Sequence, residues 1–412
     1  VTGDKLRDAR ANPTPRCFAA RWIFPIARPP IQDGWLRIEG ERIVDVRSDA
    51  RPAEAEDLGD VVLLPCAVNA HTHLEFSDCP RPIGQVGTPL SEWIGQVVAA
   101  RGGRTRQRHD QAIKRGLEES QQAGVCLIGE IATPPCEYPA SMSSPEIYTF
   151  AEVLGLSQDR SDERLAAAAA QLAARTDAGI SPHAPYSTSR EAIASCLDLA
   201  IRNNRIVAMH VAESPAEREL LVRGSGPFAA ALKSLGVWRD GLFPWSDHPV
   251  IDLINQLSAA PRALLVHGND LTDAEIELLA RYPQMTVVYC PRTHAFFQYD
   301  RHPVDRLLAA GVRIALGTDS RASNPDLNLW REVQHLFRHR PDLDPAAVLA
   351  MATMAGADAL GRPDLGRIET GACARLGTVA TSASHIDDVF ADLAEHEFLT
   401  LPLTNSASDH RG

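Results

Sequence analysis

Apolar positions recur along this chain at two rhythms. Between residues 20 and 62 they form brief runs, at 22–24, 35–38 and 42–46, separated by turns that carry Pro and Gly. That pattern predicts a small antiparallel sheet. From residue 61 onward, strand-like apolar runs alternate with helical patterns, as βα units around a mainly parallel sheet do. Strands are predicted at 61–70, 125–131, 147–154, 179–182, 206–210, 263–267, 286–290 and 312–317. Amphipathic stretches such as 163–175, 190–202, 273–281 and 304–310 have the apolar spacing of covering helices. Eight alternating units over about 260 residues point to a closed (β/α)8 barrel of the TIM type. An open doubly wound sheet is the alternative, but no G-x-G-x-x-G or Walker sequence follows 61–70 to support it.

Beyond residue 365 short apolar pieces resume at 377–380 and 388–393, and both are expected to complete the small sheet. The predicted organisation is therefore an α/β protein: a small β-sandwich-like domain built from 17–62 and 365–395, a barrel over 63–364, and terminal segments 1–16 and 396–412. The longest insertion, 236–260, holds Trp238, Phe243, Pro244, Trp245 and His248. It reads either as a packed excursion or as a wall over the site. The final residues, His410 among them, read as a frayed tail without functional weight.

Composition narrows the function classes. With 53 acidic and 41 basic residues among 412, the formal net charge is -12. Such a field disfavours non-specific binding of nucleic acid or anionic membrane. Eight scattered cysteines with no C-x-x-C pair fit a reduced compartment better than a disulfide framework or a thiolate zinc site, so a cytoplasmic protein is expected. Residues 1–15 are polar and lack a signal-peptide apolar region, and no apolar run approaches the ~20 residues of a membrane span.

The 14 histidines matter through their placement. His71 and His73 are two apart at the end of an apolar strand, so their side chains project to one face. Such a pair alone is a weak signal, and its position at a strand end raises it. His210, His267 and Asp319 stand at the C-terminal ends of later predicted strands, where barrels place their chemistry. Each has a plainer reading, a hydrogen-bonded structural histidine or a turn-capping aspartate. Four coincidences in barrel order are harder to dismiss. Three neutral imidazoles and one carboxylate form a donor set for Zn²⁺ or Fe²⁺, with a position left for a water to be made hydroxide near neutral pH.

Several motifs stand together in order. They are His71-Thr72-His73 after Leu64-Pro65, Pro182-His183-Ala184-Pro185-Tyr186-Ser187, His210-Val211-Ala212-Glu213-Ser214, His267-Gly268, and Leu316-Gly317-Thr318-Asp319-Ser320-Arg321-Ala322-Ser323-Asn324. In them the chain resembles the amidohydrolase superfamily, in the branch of aminopurine deaminases and chlorohydrolases, from about residue 42 to 376. The resemblance implies that His71, His73, His210 and Asp319 hold a single divalent metal ion, usually zinc, and that Glu213 protonates a ring nitrogen. It further implies that His267 orients and deprotonates the water, that Asp319 doubles as proton acceptor, and that His183 contacts substrate. Binuclear members carry a bridging carboxylated lysine or glutamate on the fourth strand; the stretch 180–183 has neither, which implies one ion.

Departures bear on substrate. Many members of the branch read His-Asn-Pro-x-Ser-Asn at the seventh strand, whereas this chain reads Cys290-Pro291-Arg292-Thr293-His294. His294 is either a changed pocket wall or altered core packing, and Arg292 either meets a substrate carboxylate with its planar fork or lies on the surface. Trp93 is a further candidate substrate contact. The Pro- and Gly-rich segment before it offers no acid matching the ribose-binding glutamate of thioether-adenosine deaminases. Arg375 stands where the family usually has Asp, which puts the final strand of the small sheet in question.

The expected function is hydrolytic deamination of an aminopurine nucleoside or related amino-heterocycle, aminodeoxyfutalosine being one such substrate. Replacing an exocyclic ring amine needs a nucleophile, a proton donor to the ring nitrogen and a route to ammonia, and the named residues supply one group for each. A cyclic amide hydrolase or chlorohydrolase is the alternative on the same scaffold. A non-catalytic scaffold homologue is the remote one, since such a protein would be expected to lose ligands. The only partner expected is a small heterocycle, with homo-oligomerisation left open.

Overall fold

The computed structural model describes residues 15–135, 138 and 145–402. Five strands come first among the described residues: β1 (Arg16–Ile23), β2 (Ile31–Glu39), β3 (Arg42–Arg47), β4 (Glu56–Asp57) and β5 (Val61–Pro65). Strand β1 runs antiparallel to β2 and parallel to β4 and β5, and β2 runs antiparallel to β3. Phe18, Ile23, Leu36, Ile43 and Leu63 bury one face of this sheet together with Ile368 and Leu376 from the far end of the chain.

Eight parallel strands follow: β6 (Ala67–Thr72), β7 (Val125–Ala132), β8 (Glu146–Val153), β9 (Ala178–Pro182), β10 (Val207–Val211), β11 (Ala263–His267), β12 (Met285–Tyr289) and β13 (Arg313–Leu316). They lie side by side in chain order. Their residues are buried almost without interruption, as expected where helices cover one face and barrel side chains fill the other. The ring closes between its first and last strands. The backbone N–H groups of Thr318 and Asp319 both donate to the His71 carbonyl at 3.1 Å, and Thr72 bridges to Asp319. Barrel closure thus falls on the residues that the sequence singled out for chemistry.

The chain returns to the first sheet through β14 (Leu376–Ala380), antiparallel to β5, and β15 (Leu399–Thr400), antiparallel to β14. Strand β14 forms directly after Arg375, so the departure there does not cost the sheet its strand.

Two expectations about elements need correction. The run 61–70 is two strands in two sheets, β5 and β6, because the chain turns at Cys66, whose N–H donates to the Arg375 carbonyl. Both halves are buried, so no polar residue marks the break. The piece 388–393 lies within a helix, Ile386–Glu395, which buries Val389 and Leu393 four apart on one face, and β15 takes the edge place. Within 236–260 the helix Pro249–Leu257 buries Val250, Leu253, Ile254 and Leu257 against the barrel. Ahead of it, Trp238 meets Phe243 at a 32° tilt and Phe243 stacks on Trp245, with ring centroids 5.8 and 6.0 Å apart, in the apolar cluster that also holds Tyr186, Trp93 and Phe297. His410 lies outside the described residues. Among the described residues no helix is long and apolar enough to cross a membrane.

Candidate metal centre

The period of two along β6 brings His71 and His73 to the same side of the barrel mouth. His71 is 1% exposed, and neither of its ring nitrogens has a hydrogen-bond partner. A buried polar atom left unpaired costs about 1–3 kcal/mol, so this imidazole is built to meet something else. Its Nε2 lies 3.5 Å from Asp319 Oδ1, and His73 Nε2 lies 3.7 Å from the same oxygen. His210 Nδ1 donates to the His183 carbonyl at 2.7 Å, which fixes its tautomer and leaves a lone pair on Nε2, 3.4 Å from His73 Nε2. Ligand-capable atoms of His71, His73 and Asp319 lie within 4.8 Å of one another, as do those of His71, His210 and His267.

Burial and the neighbouring histidines hold His73, His210 and His267 well below the ordinary imidazole range, so they are neutral. Burial raises Asp319, but the His71 ring, 3.5 Å away, and the proximity of His73 and His267 outweigh it and keep the carboxyl ionised. Neutral imidazoles with an ionised carboxylate are the protonation states that a metal ion requires. The unpaired His71 ring and this donor set fit a divalent cation.

Three strand ends around the cluster adopt left-handed backbone at non-glycine residues: Ala212 at φ 53°, His267 at φ 72° and Asp319 at φ 53°. Such residues persist only where their surroundings over-determine them. At Asp319 the determinants are the closure bonds to His71, the Thr72 hydroxyl donating to the Asp319 carbonyl at 2.7 Å, and Asn69 Nδ2 donating to Thr318 Oγ1 at 2.8 Å. At Ala212 the carboxylate of Glu217 receives the N–H groups of Ala212 and Glu213 at 2.8 and 3.1 Å.

Glu213 follows from that turn. It is 5% exposed, accepts the Tyr186 hydroxyl at Oε2 over 2.9 Å, and places Oε1 3.5 Å from His267 Nε2. Burial, reinforced by the neighbouring Glu217 carboxyl, pushes its carboxyl well above the ordinary range, so it carries a proton near neutrality. Glu217 itself is pushed up to about 8 by burial. The His267 carbonyl bonds to Nε2 of His302, a buried ring stacked on Tyr289 at 3.8 Å.

The remaining candidates divide. His183 lies 4.8 Å from His210, ring to ring, with Nδ1 on Ser187 Oγ at 2.6 Å and Nε2 3.9 Å from Glu152. Burial, then Arg101, pushes it down to about 3. His294 is buried among Tyr289, Tyr299 and His302, with Nε2 unpartnered, and burial pushes it down to about 4. Trp93 donates to the Ala322 carbonyl at 3.3 Å and meets Phe297 edge-on at 5.2 Å. Arg292 is already committed. Its guanidinium pairs with Asp326 at 2.6 Å and Glu332 at 2.7 Å, so the expectation of a free fork for a substrate carboxylate is corrected.

Sequence reasoning passed over Tyr186, Ser187 and Ser323, although all three stand inside the motifs quoted for other residues. It also missed Glu130 and Glu152, which are 1% and 3% exposed on β7 and β8. Both oxygens of Glu130 accept the Leu74 N–H, and Arg101 lies between Glu75 and Glu152. For Glu130 a glutamate inside an otherwise apolar strand was the available signal.

Fold and site together define a class, a parallel barrel whose strand ends converge ligands for a divalent metal ion. The amidohydrolase family pattern matches residues 62–401, and the chain belongs to that family. It is 30% identical over 339 residues to the aminodeoxyfutalosine deaminase of Deinococcus radiodurans, covering 77% of this chain and 78% of that protein. It is 28% identical over 403 residues to the 5-methylthioadenosine/S-adenosylhomocysteine deaminase of Nitratidesulfovibrio vulgaris, covering 88% and 83%. The fold is similar to the solved structure of Helicobacter pylori aminofutalosine deaminase in complex with methylthio-coformycin. The TM-score is 0.81 over 93% of this chain and 97% of that one, at 22% identity.

Proposed function

We propose that this chain is a zinc-dependent deaminase of an aminopurine nucleoside or a closely related amino-heterocycle, with aminodeoxyfutalosine the first substrate to test. The observation that carries the reading is the buried Glu213, whose Oε1 lies 3.5 Å from His267 Nε2, beside a ligand cluster in which the His71 ring has no hydrogen-bond partner. His71, His73, His210 and Asp319 would hold the ion, and a borderline N/O donor set suits zinc. When bound, the ion supplies a water acidified enough to act as nucleophile near neutral pH.

The chain's own groups do the rest. Because Glu213 Oε2 accepts from Tyr186, its proton sits on Oε1, the oxygen facing His267, from which it is delivered to the ring nitrogen that gains electron density. His267, whose Nε2 lies 3.5 Å from Glu213 Oε1, would orient the attacking water and help move its proton to Asp319, which would return it to the leaving amine. His183 and His294 present neutral imidazoles for ring contacts, and Trp93 contributes an apolar wall beside Phe297.

Ammonia release from a panel of aminodeoxyfutalosine, methylthioadenosine, S-adenosylhomocysteine and adenosine tests the reading. Turnover of at least one supports it. Zinc-loaded protein that releases no ammonia from any aminopurine or aminopyrimidine, yet opens cyclic amides or displaces chloride from a ring, would replace it with the hydrolase alternative.

A further inference from the structure

We infer that Ser323 and Thr293 are positioning residues that hold the Asp319 carboxylate so that a single oxygen, Oδ1, faces the metal centre. The inference rests on the metal-ion reading of the cluster. Ser323 is fully buried, and its Oγ lies 2.6 Å from Asp319 Oδ2 and 3.0 Å from Thr293 Oγ1. A serine hydroxyl has one proton, and an ionised carboxylate can only accept. The short contact therefore uses the Ser323 proton on Oδ2, in preference to the Ser320 carbonyl at 3.3 Å. Thr293 must then donate to Ser323. Two hydroxyls in series end on one carboxylate oxygen, and each bond polarises the next.

The other oxygen is left to the cluster. Oδ1 is the atom that lies 3.5 Å from His71 Nε2 and 3.7 Å from His73 Nε2. With Oδ2 engaged from the opposite side, the carboxylate cannot rotate to offer both oxygens without breaking a short charge-assisted hydrogen bond.

The relay stands on a fixed base. Thr293 belongs to the short helix Pro291–Phe297, whose Arg292 N–H and guanidinium are both bonded to Glu332, at 2.8 and 2.7 Å. The same Glu332 receives Asn324 Nδ2 at 2.7 Å, and that amide also donates to the Thr318 carbonyl at 2.8 Å. One buried carboxylate thus ties the helix carrying Thr293 to both ends of the loop carrying Asp319 and Ser323. This gives Arg292 its place in the molecule and ties Thr293 to the loop that follows β13.

The test is Co²⁺ titration of apo protein, read by visible absorption, with a chelator competition for Zn²⁺ and thermal melting of each apo form. Ser323→Ala should raise both metal dissociation constants by about 10- to 100-fold, the usual cost of losing a group behind a ligand. It should also change the shape of the Co²⁺ band as the carboxylate is released. Thr293→Val, which keeps the side-chain shape, should act in the same direction by a smaller factor and carries the test if Ser323→Ala does not fold. Wild-type affinity and spectrum in the folded variants, with or without a lower apo melting temperature, would overturn the inference and leave the metal centre standing. Wild-type protein that binds no Co²⁺ would overturn both.

Discussion

Replacing Tyr186 with phenylalanine removes one hydroxyl from the site and little else. The ring is 5% exposed and stacked on Phe228 at 4.5 Å, so the packing persists. What is lost is the 2.9 Å bond to Glu213 Oε2. In the resting state that bond ends on a neutral acid and contributes about 0.5–1.5 kcal/mol; once Glu213 has passed its proton to the ring it ends on a carboxylate and contributes about 1.5–3 kcal/mol. Only the difference, about 1–1.5 kcal/mol, bears on the chemical step, because uniform binding does not lower the barrier. It predicts a roughly 5- to 13-fold loss in kcat. The pH profile adds a sign. In the proposed role Glu213 acts while protonated, so the rate should fall as pH rises through its raised pKa. The Tyr186 bond lowers that pKa by favouring the carboxylate, so its loss should move the alkaline limb to higher pH. Ammonia release by Tyr186→Phe across pH, with zinc content checked, measures both effects. A limb that stays put or moves down would refute Glu213 as the proton donor. A loss beyond ~1,000-fold would put the phenol itself among the proton-transfer groups.

Other perturbations separate the roles assigned above. Asp319→Asn should cut turnover by roughly 10²- to 10⁴-fold with an unchanged circular dichroism spectrum, since a ligand charge and a proton acceptor go together; near-normal turnover would remove Asp319 from the reaction. Arg292→Ala leaves the fully buried Glu332 without its counter-charge and should cost about 3–5 kcal/mol in urea unfolding; an unchanged stability with a raised KM would return Arg292 to the substrate. Stripping the ion with a chelator should lower the melting temperature, because ligand at 100 times its dissociation constant stabilises the native state by about 2.7 kcal/mol; identical melting of apo and zinc-loaded protein would argue against a resident ion.

Much of the site was legible because its chemistry coincides with strand ends. His71 and His73 are separated by the strand period, and His210, His267 and Asp319 each close an apolar run, so place along the chain translates into place in the barrel. The roles of Asn69 and Arg292 were hidden for a physical reason: their partners are distant in the chain. Asn69 and Thr318 are 249 residues apart, and Arg292 meets Asp326 and Glu332 from 34 and 40 residues away. No local pattern encodes such a pairing, and an arginine seen alone looks free.

The elements that were misread fail for a related reason. The boundary inside 61–70 vanished because β5 and β6 are buried in different sheets and both look apolar. Within 388–393 the window was too short to distinguish a period of two from one of 3.6, and only the longer span Ile386–Glu395 shows the helical face. The left-handed turns at Ala212, His267 and Asp319 had no glycine to announce them.

The most direct measurement of the account as a whole is ammonia release from aminodeoxyfutalosine and the other adenine nucleosides as apo protein is titrated with zinc. Activity absent at the start and rising to saturation at one equivalent is the predicted result. Equal activity without metal, or no ammonia from any of these nucleosides at full zinc occupancy, would contradict the assignment of a mononuclear deaminase.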